Sequence, residues 1–184
     1  MSLSTNRSSY VHLGAYALVL SLAWCLLGAP AIAQQPATVP PPPGYVVVGD
    51  EVLPESAVSG GRDAVFNAVA WPGGIVPFTF NANVNAVNQG RVIRAMDEIE
   101  AVSGVTFVPW TTQPNQIAFN AAAVNNSLVG MAGGVQVINL VSFNTKYIIV
   151  HEIMHALGFR HEQSRPNRNN FVTVNFANIA NACG

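Results

Sequence analysis

The stretch Val150-His151-Glu152-Ile153-Met154-His155-Ala156-Leu157-Gly158-Phe159-Arg160-His161-Glu162 gathers three of the chain's four histidines, His12 being the fourth. Read as a helix, it puts His151 and His155 four residues apart, on one face and a turn from each other. Two imidazoles so placed can approach one metal ion, and Glu152 beside them can hold a metal-bound water. Gly158 predicts the helix end, because glycine takes the left-handed cap conformation without steric cost. The reversed chain can then bring His161 back as a third nitrogen ligand. Three neutral imidazoles suit zinc and leave an open position for water, the catalytic arrangement rather than the closed structural one. The chemistry this predicts is metal-assisted hydrolysis, with one Zn²⁺ per chain on His151, His155 and His161 and with Glu152 as proton carrier.

The pattern HExxHxxGxxH marks the metzincin zinc peptidases. Here it runs on as His161-Glu162-Gln163-Ser164-Arg165, and in this it closely resembles the astacin family, where the third histidine is typically followed by Glu-Gln-x-Arg. The resemblance covers roughly residues 45 to 180. It implies an α+β fold, the metzincin N-terminal subdomain: a twisted sheet with two long helices, the second carrying the zinc ligands. It also implies a secreted zinc endopeptidase made as a zymogen and acting on protein or peptide substrates.

Two further residues acquire roles through the same resemblance. Val47-Val48-Gly49-Asp50 is similar to the Gly-Asp element of astacin pro-segments, whose aspartate ligates the zinc and displaces the catalytic water. A carboxylate is a good oxygen ligand for zinc, while the plainer alternative is a surface turn at Gly49-Asp50 closing a short strand. In the family the amino terminus freed by activation is buried against the glutamate after the third histidine, here Glu162. A buried ammonium needs a partner charge, and a solvated surface glutamate is the alternative.

Several positions depart from the family pattern. Met131 stands where a basic residue is common, Asn167 and Asn169 where aspartates are usual, and Phe171 where a tyrosine is usual. After His161 there is no methionine and no tyrosine, so the peptidase domain is expected to be incomplete at its C-terminus. The rival to a working peptidase is therefore a truncated, catalytically inactive zinc-binding exported module.

Composition frames these readings without choosing between them. The chain has 184 residues, half of them apolar and 9% charged, with a net charge of −1. That is room for one ordinary domain and a leader, and it leaves no electrostatic footprint for nucleic acid or an anionic membrane. Arg7, the apolar run Leu13 to Leu27 and the Ala31-Ile32-Ala33 site read as a signal peptide over residues 1–33. The alternative is an uncleaved anchor; after cleavage no stable membrane association is expected. Residues 34–62 are expected to be a proline-rich spacer and pro-segment, and residues 63–184 the peptidase domain. The small-residue stretch Ser56 to Gly61 before Arg62-Asp63 suits proteolytic nicking. Of the two cysteines only Cys183 would survive signal cleavage, so no internal disulfide staples the domain.

The elements that must position the site follow from periodicity. Trp71-Pro72-Gly73-Gly74 is a turn leading into the strand Ile75 to Phe80. Asn88 to Val102 is a helix with Val92, Met96 and Ile99 on its apolar face and Gly104 ending it. Val105 to Val108, Gln116 to Phe119 and Val135 to Leu140 read as strands, with Asn120 to Asn126 a loop. Ser127 to Gly134, leading into the last strand, resembles the astacin sheet edge that pairs with an extended substrate; an ordinary edge strand is the alternative. Asn144 to Leu157 is the metal-binding helix, with Ile149, Val150, Ile153 and Leu157 facing the core.

Overall fold

The computed structural model describes residues 37–59, 68–164 and 167–175. The signal segment, the nicking site at Arg62 with Asp63, Arg165 and Cys183 lie outside the described residues.

In chain order the elements are β1 (Tyr45–Val48), β2 (Glu51–Pro54), α1 (Glu55–Ser59), β3 (Ile75–Phe80), α2 (Ala86–Val102), β4 (Thr106–Pro109), β5 (Gln116–Ala121), β6 (Ser127–Leu128), β7 (Val135–Leu140) and α3 (Lys146–Ala156). Four strands form a sheet in the order β4-β3-β5-β7, all neighbours parallel, with Phe119 opposite Ile138 and Asn120 opposite Asn139. Parallel neighbours need long crossovers, and α2 supplies the one between β3 and β4. The expected α+β architecture, a sheet with two long helices, is what the chain adopts.

Side chains alternate across a strand, so Ile117 and Phe119 of β5 and Ile138 and Leu140 of β7 share one face. Against that face pack Val92, Ala95, Met96 and Ile99 of α2, and Ile149, Ile153 and Ala156 of α3. The helical spacing of the α2 residues is the apolar stripe read from sequence. The helix starts at Ala86 rather than Asn88, because the Asn85 carboxamide accepts the Asn88 N–H and caps it two residues earlier. Trp71 ties the start of the domain to the end of α3, its indole N–H donating to the Ala156 carbonyl at 2.9 Å, one of the carbonyls a helix end leaves unpaired.

A second, smaller sheet has the order β1-β2-β6. The β1–β2 hairpin closes through Gly49, at φ +70°, and Asp50, with Val48 opposite Glu51. β2 then runs parallel to β6, Glu51 opposite Ser127 and Val52 opposite Leu128. The segment expected to be an open sheet edge is thus paired by β2: the Ser127 and Val129 N–H groups donate to the Asp50 and Val52 carbonyls. Among the described residues no helix is long and apolar enough to cross a membrane.

Candidate metal centre

α3 begins at Lys146, since Thr145 has extended backbone angles and no capping hydrogen bond, and its last turns carry the histidines. Leu157 N–H bonds back to Ile153 and Gly158 N–H to His155, and Gly158 then turns the chain at φ +107°. A side chain at that φ is strained, and a Cβ there would also stand 3.0 Å from the Ala68 Cβ. This reversal returns His161 to the face of the helix that carries His151 and His155.

The three rings turn their Nε2 atoms toward one another. His155 Nε2 lies 3.1 Å from His151 Nε2, and His161 Nε2 lies 3.3 Å from it. The hairpin tip adds a carboxylate: Asp50 Oδ2 is 3.1 Å from His151 Nε2, and Oδ1 is 3.0 Å from His161 Nε2 and 3.8 Å from His155 Nε2. Among the described residues these four form a group able to hold a metal ion. Ligands at zinc distances on a tetrahedron sit about 3.3 Å apart, so the spread matches that geometry.

The chemistry of the donors gives an independent check. His155 Nδ1 lies 2.7 Å from the Phe159 carbonyl, which can only accept, so the proton sits on Nδ1 and the Nε2 lone pair faces the cluster. Burial, opposed by the Phe159 carbonyl, lowers the pKa of His155 and favours the neutral form a ligand requires. Asp50 Oδ1 is buried and has no hydrogen-bond partner among the described residues, although it stands within ion-pair distance of His161. Three imidazole Nε2 atoms and a carboxylate oxygen gathered at one point fit a cation when the rings are neutral. The donor set fits zinc.

Glu152 follows His151 in the chain but takes no part in this cluster of ligand atoms. It is 1% exposed, and its Oε2 has no hydrogen-bond partner among the described residues. Burial first, and then the Asp50 charge, push its carboxyl up to about 8. Glu152, His151, Asp50, Asn125, Tyr147 and Ile148 line a cavity of about 300 Å³. A wider apolar groove of about 820 Å³ lies along Ile99, Val150, Met154 and Phe159, but the convergent polar groups are at the smaller cavity.

The structure brings together Asp50, His151, Glu152, His155 and His161. Glu162 opens an exposed turn of 3₁₀ helix, Glu162–Ser164, and residues 60–67, where a new amino terminus would arise, lie outside the described residues. Sequence reasoning missed Glu51 and Arg160. Glu51 is 1% exposed; it accepts the His161 N–H at 2.7 Å and the Arg160 guanidinium at 3.2 Å, fixing the backbone of the third histidine. The available signal was a charged residue opening the otherwise apolar strand Glu51-Val52-Leu53.

A family model described as Astacin, a peptidase family, matches residues 64–183, more than half of the chain. The chain belongs to the astacin family. It is 39% identical over 127 residues to Embryonic protein UVS.2 of Xenopus laevis, covering 65% of this chain and 25% of that protein. It is likewise 39% identical over 114 residues to Zinc metalloproteinase nas-14 of Caenorhabditis elegans, covering 59% and 23%. Among solved structures it resembles High choriolytic enzyme 1, a hatching enzyme zinc-protease of Oryzias latipes, at 28% identity and a TM-score of 0.53, covering 60% of this chain and 57% of that one. The chain thus spans about a quarter of the length of these two curated relatives.

Proposed function

We propose that this astacin is an exported, zinc-dependent endopeptidase that hydrolyses protein or peptide substrates and is made with its metal site capped. The observation that carries the reading is the convergence of the His151, His155 and His161 Nε2 atoms beside the buried Glu152, whose Oε2 has no hydrogen-bond partner among the described residues. The three histidines would hold a zinc ion, which would supply Lewis acidity toward the scissile carbonyl and lower the pKa of a water.

The chain's own residues do the rest. Glu152 lines the cavity; the charge of a bound dication would oppose the upward shift of its carboxyl, and in its ionised form it takes the proton of the attacking water and delivers it to the leaving amine. His155 is held in the required tautomer by the Phe159 carbonyl. Asp50 occupies the side of the cluster where a substrate carbonyl would come, and β2 occupies the β6 edge where an extended substrate would pair. Both contacts support residues 34–62 as a pro-segment and 63–184 as the peptidase, with residues 1–33 the export signal. A cut near Arg62 releases the block, and Glu162 then receives the new amino terminus.

The test is cleavage of an unfolded protein substrate by the zinc-loaded chain before and after a limited cut near Arg62. Chelator-sensitive cleavage should appear only after the cut and vanish in Glu152→Gln, with zinc still bound. Full activity in Glu152→Gln would refute the mechanism.

A further inference from the structure

On the sheet face turned away from the helices, Asn120 of β5 and Asn139 of β7 stand side by side, 3% and 1% exposed. Their carboxamides have all four hydrogen-bonding positions filled. Asn139 Oδ1 accepts from Asn120 Nδ2 and from the Val39 N–H, while its Nδ2 donates to Asn126 Oδ1 and to the Val39 carbonyl. Asn120 Oδ1 accepts from Asn81 and Asn83, and its Nδ2 donates to Asn139 Oδ1 and to the Ala37 carbonyl. Three of these bonds reach the Ala37–Val39 main chain, and the others stay within the sheet and its loops.

The pairing has the logic of a β-ladder. One carboxamide gives Val39 both a donor and an acceptor, as a neighbouring strand would, and the next reaches Ala37, two residues earlier on the same face of an extended chain. Between them, the Thr38 hydroxyl accepts the Ala123 N–H. Beyond Val39 come Pro40, Pro41 and Pro42, which have no N–H to satisfy and lie with Val135 and Val137 around a cavity of about 100 Å³. A surface that offers main-chain partners at two alternate residues and apolar contact afterwards matches a peptide that turns proline-rich at that point.

We infer that Asn120, Asn126 and Asn139 form a docking strip for an extended, proline-rich peptide, separate from the metal centre and filled here by Ala37–Pro42. When the segment leaves, its three bonds pass to water, so what a rebinding peptide regains is main-chain pairing at two alternate residues and apolar burial of its prolines beside Val135 and Val137. Once the segment leaves, a substrate carrying an extended proline-rich stretch takes its place. This last consequence rests on the pro-segment reading above; the peptide binding itself does not.

The experiment uses the full chain with residues 37–42 exchanged for an equal length of glycine and serine. A fluorescent synthetic peptide of residues 34–44 is titrated in and followed by anisotropy. Saturable binding is expected, weakened about tenfold or more by Asn139→Leu, which removes two hydrogen bonds to Val39. Because that variant can disturb folding, the same loss is read from the peptide side, with Val39 N-methylated so that it cannot donate. No binding at millimolar peptide, or equal binding of the N-methylated peptide, overturns the inference. Zinc titration of the same protein reports separately on the metal reading, which a failure of the peptide assay leaves untouched.

Discussion

The two polar clusters of this small domain are built on opposite rules. In the asparagine strip the hydrogen-bonding positions of Asn120 and Asn139 are all filled by the protein itself. In the histidine cluster potential metal ligands face one another: ring nitrogens stand 3.1 and 3.3 Å apart around an Asp50 oxygen with no hydrogen-bond partner among the described residues. The first arrangement stabilises a fold and a docked segment. The second costs stability unless a cation arrives, which is how a protein reserves a place for one. Polar burial therefore says little by itself; whether the partners close the set decides what it is for.

The comparison breaks most visibly at its unsatisfied side. His155→Ala removes a buried ligand, and zinc affinity should fall by more than about 100-fold, beyond the range of changes outside the coordination shell. Competition with a chromophoric chelator measures this, and an unchanged affinity would mean that the cluster does not hold the metal. On the satisfied side, Asn139→Leu strands Asn120 Nδ2, Asn126 Oδ1 and both Val39 groups. Denaturant unfolding should show a loss of about 2–3 kcal/mol, and a loss under about 0.5 kcal/mol would contradict the strip's closure.

Glu51 joins the two rules, since its satisfied carboxylate positions an unsatisfied ligand. Glu51→Ala should weaken zinc binding about tenfold while leaving hydrogen-exchange protection of the Val39 amide unchanged. Loss of that protection would show that the hairpin and the strip act as one unit. The smallest effect is structural: Trp71→Phe removes the indole bond to Ala156 and should cost about 1 kcal/mol, read by thermal unfolding with zinc saturating.

What could be read in the sequence was local. The spacing of His151 and His155, the Gly158 reversal and the α2 stripe of Val92, Met96 and Ile99 depend on contacts within a few residues, and helical geometry fixes those. The hairpin at Gly49-Asp50 was legible as a turn for the same reason, while its placement against the histidines came only from resemblance. Glu51 with Arg160 and Asn139 with Val39 are separated by 109 and 100 positions, and no periodicity marks a partner that far away. β5 continues to Ala121, into what reads as a loop, because Asn120 and Ala121 pair with β7 across the sheet. Polar residues that look like loop composition are there the lining of a strip.

In the proposed zymogen the three histidines and Asp50 meet at one zinc ion. Zinc X-ray absorption on the full, uncut chain tests it most directly, with metal content measured on the same sample. One zinc per chain is expected, with nitrogen and oxygen neighbours at about 2.0–2.2 Å, and an oxygen contribution that changes in Asp50→Ala while the nitrogens stay. A sulfur neighbour, no bound zinc, or a spectrum indifferent to both Asp50→Ala and His161→Ala would contradict the account.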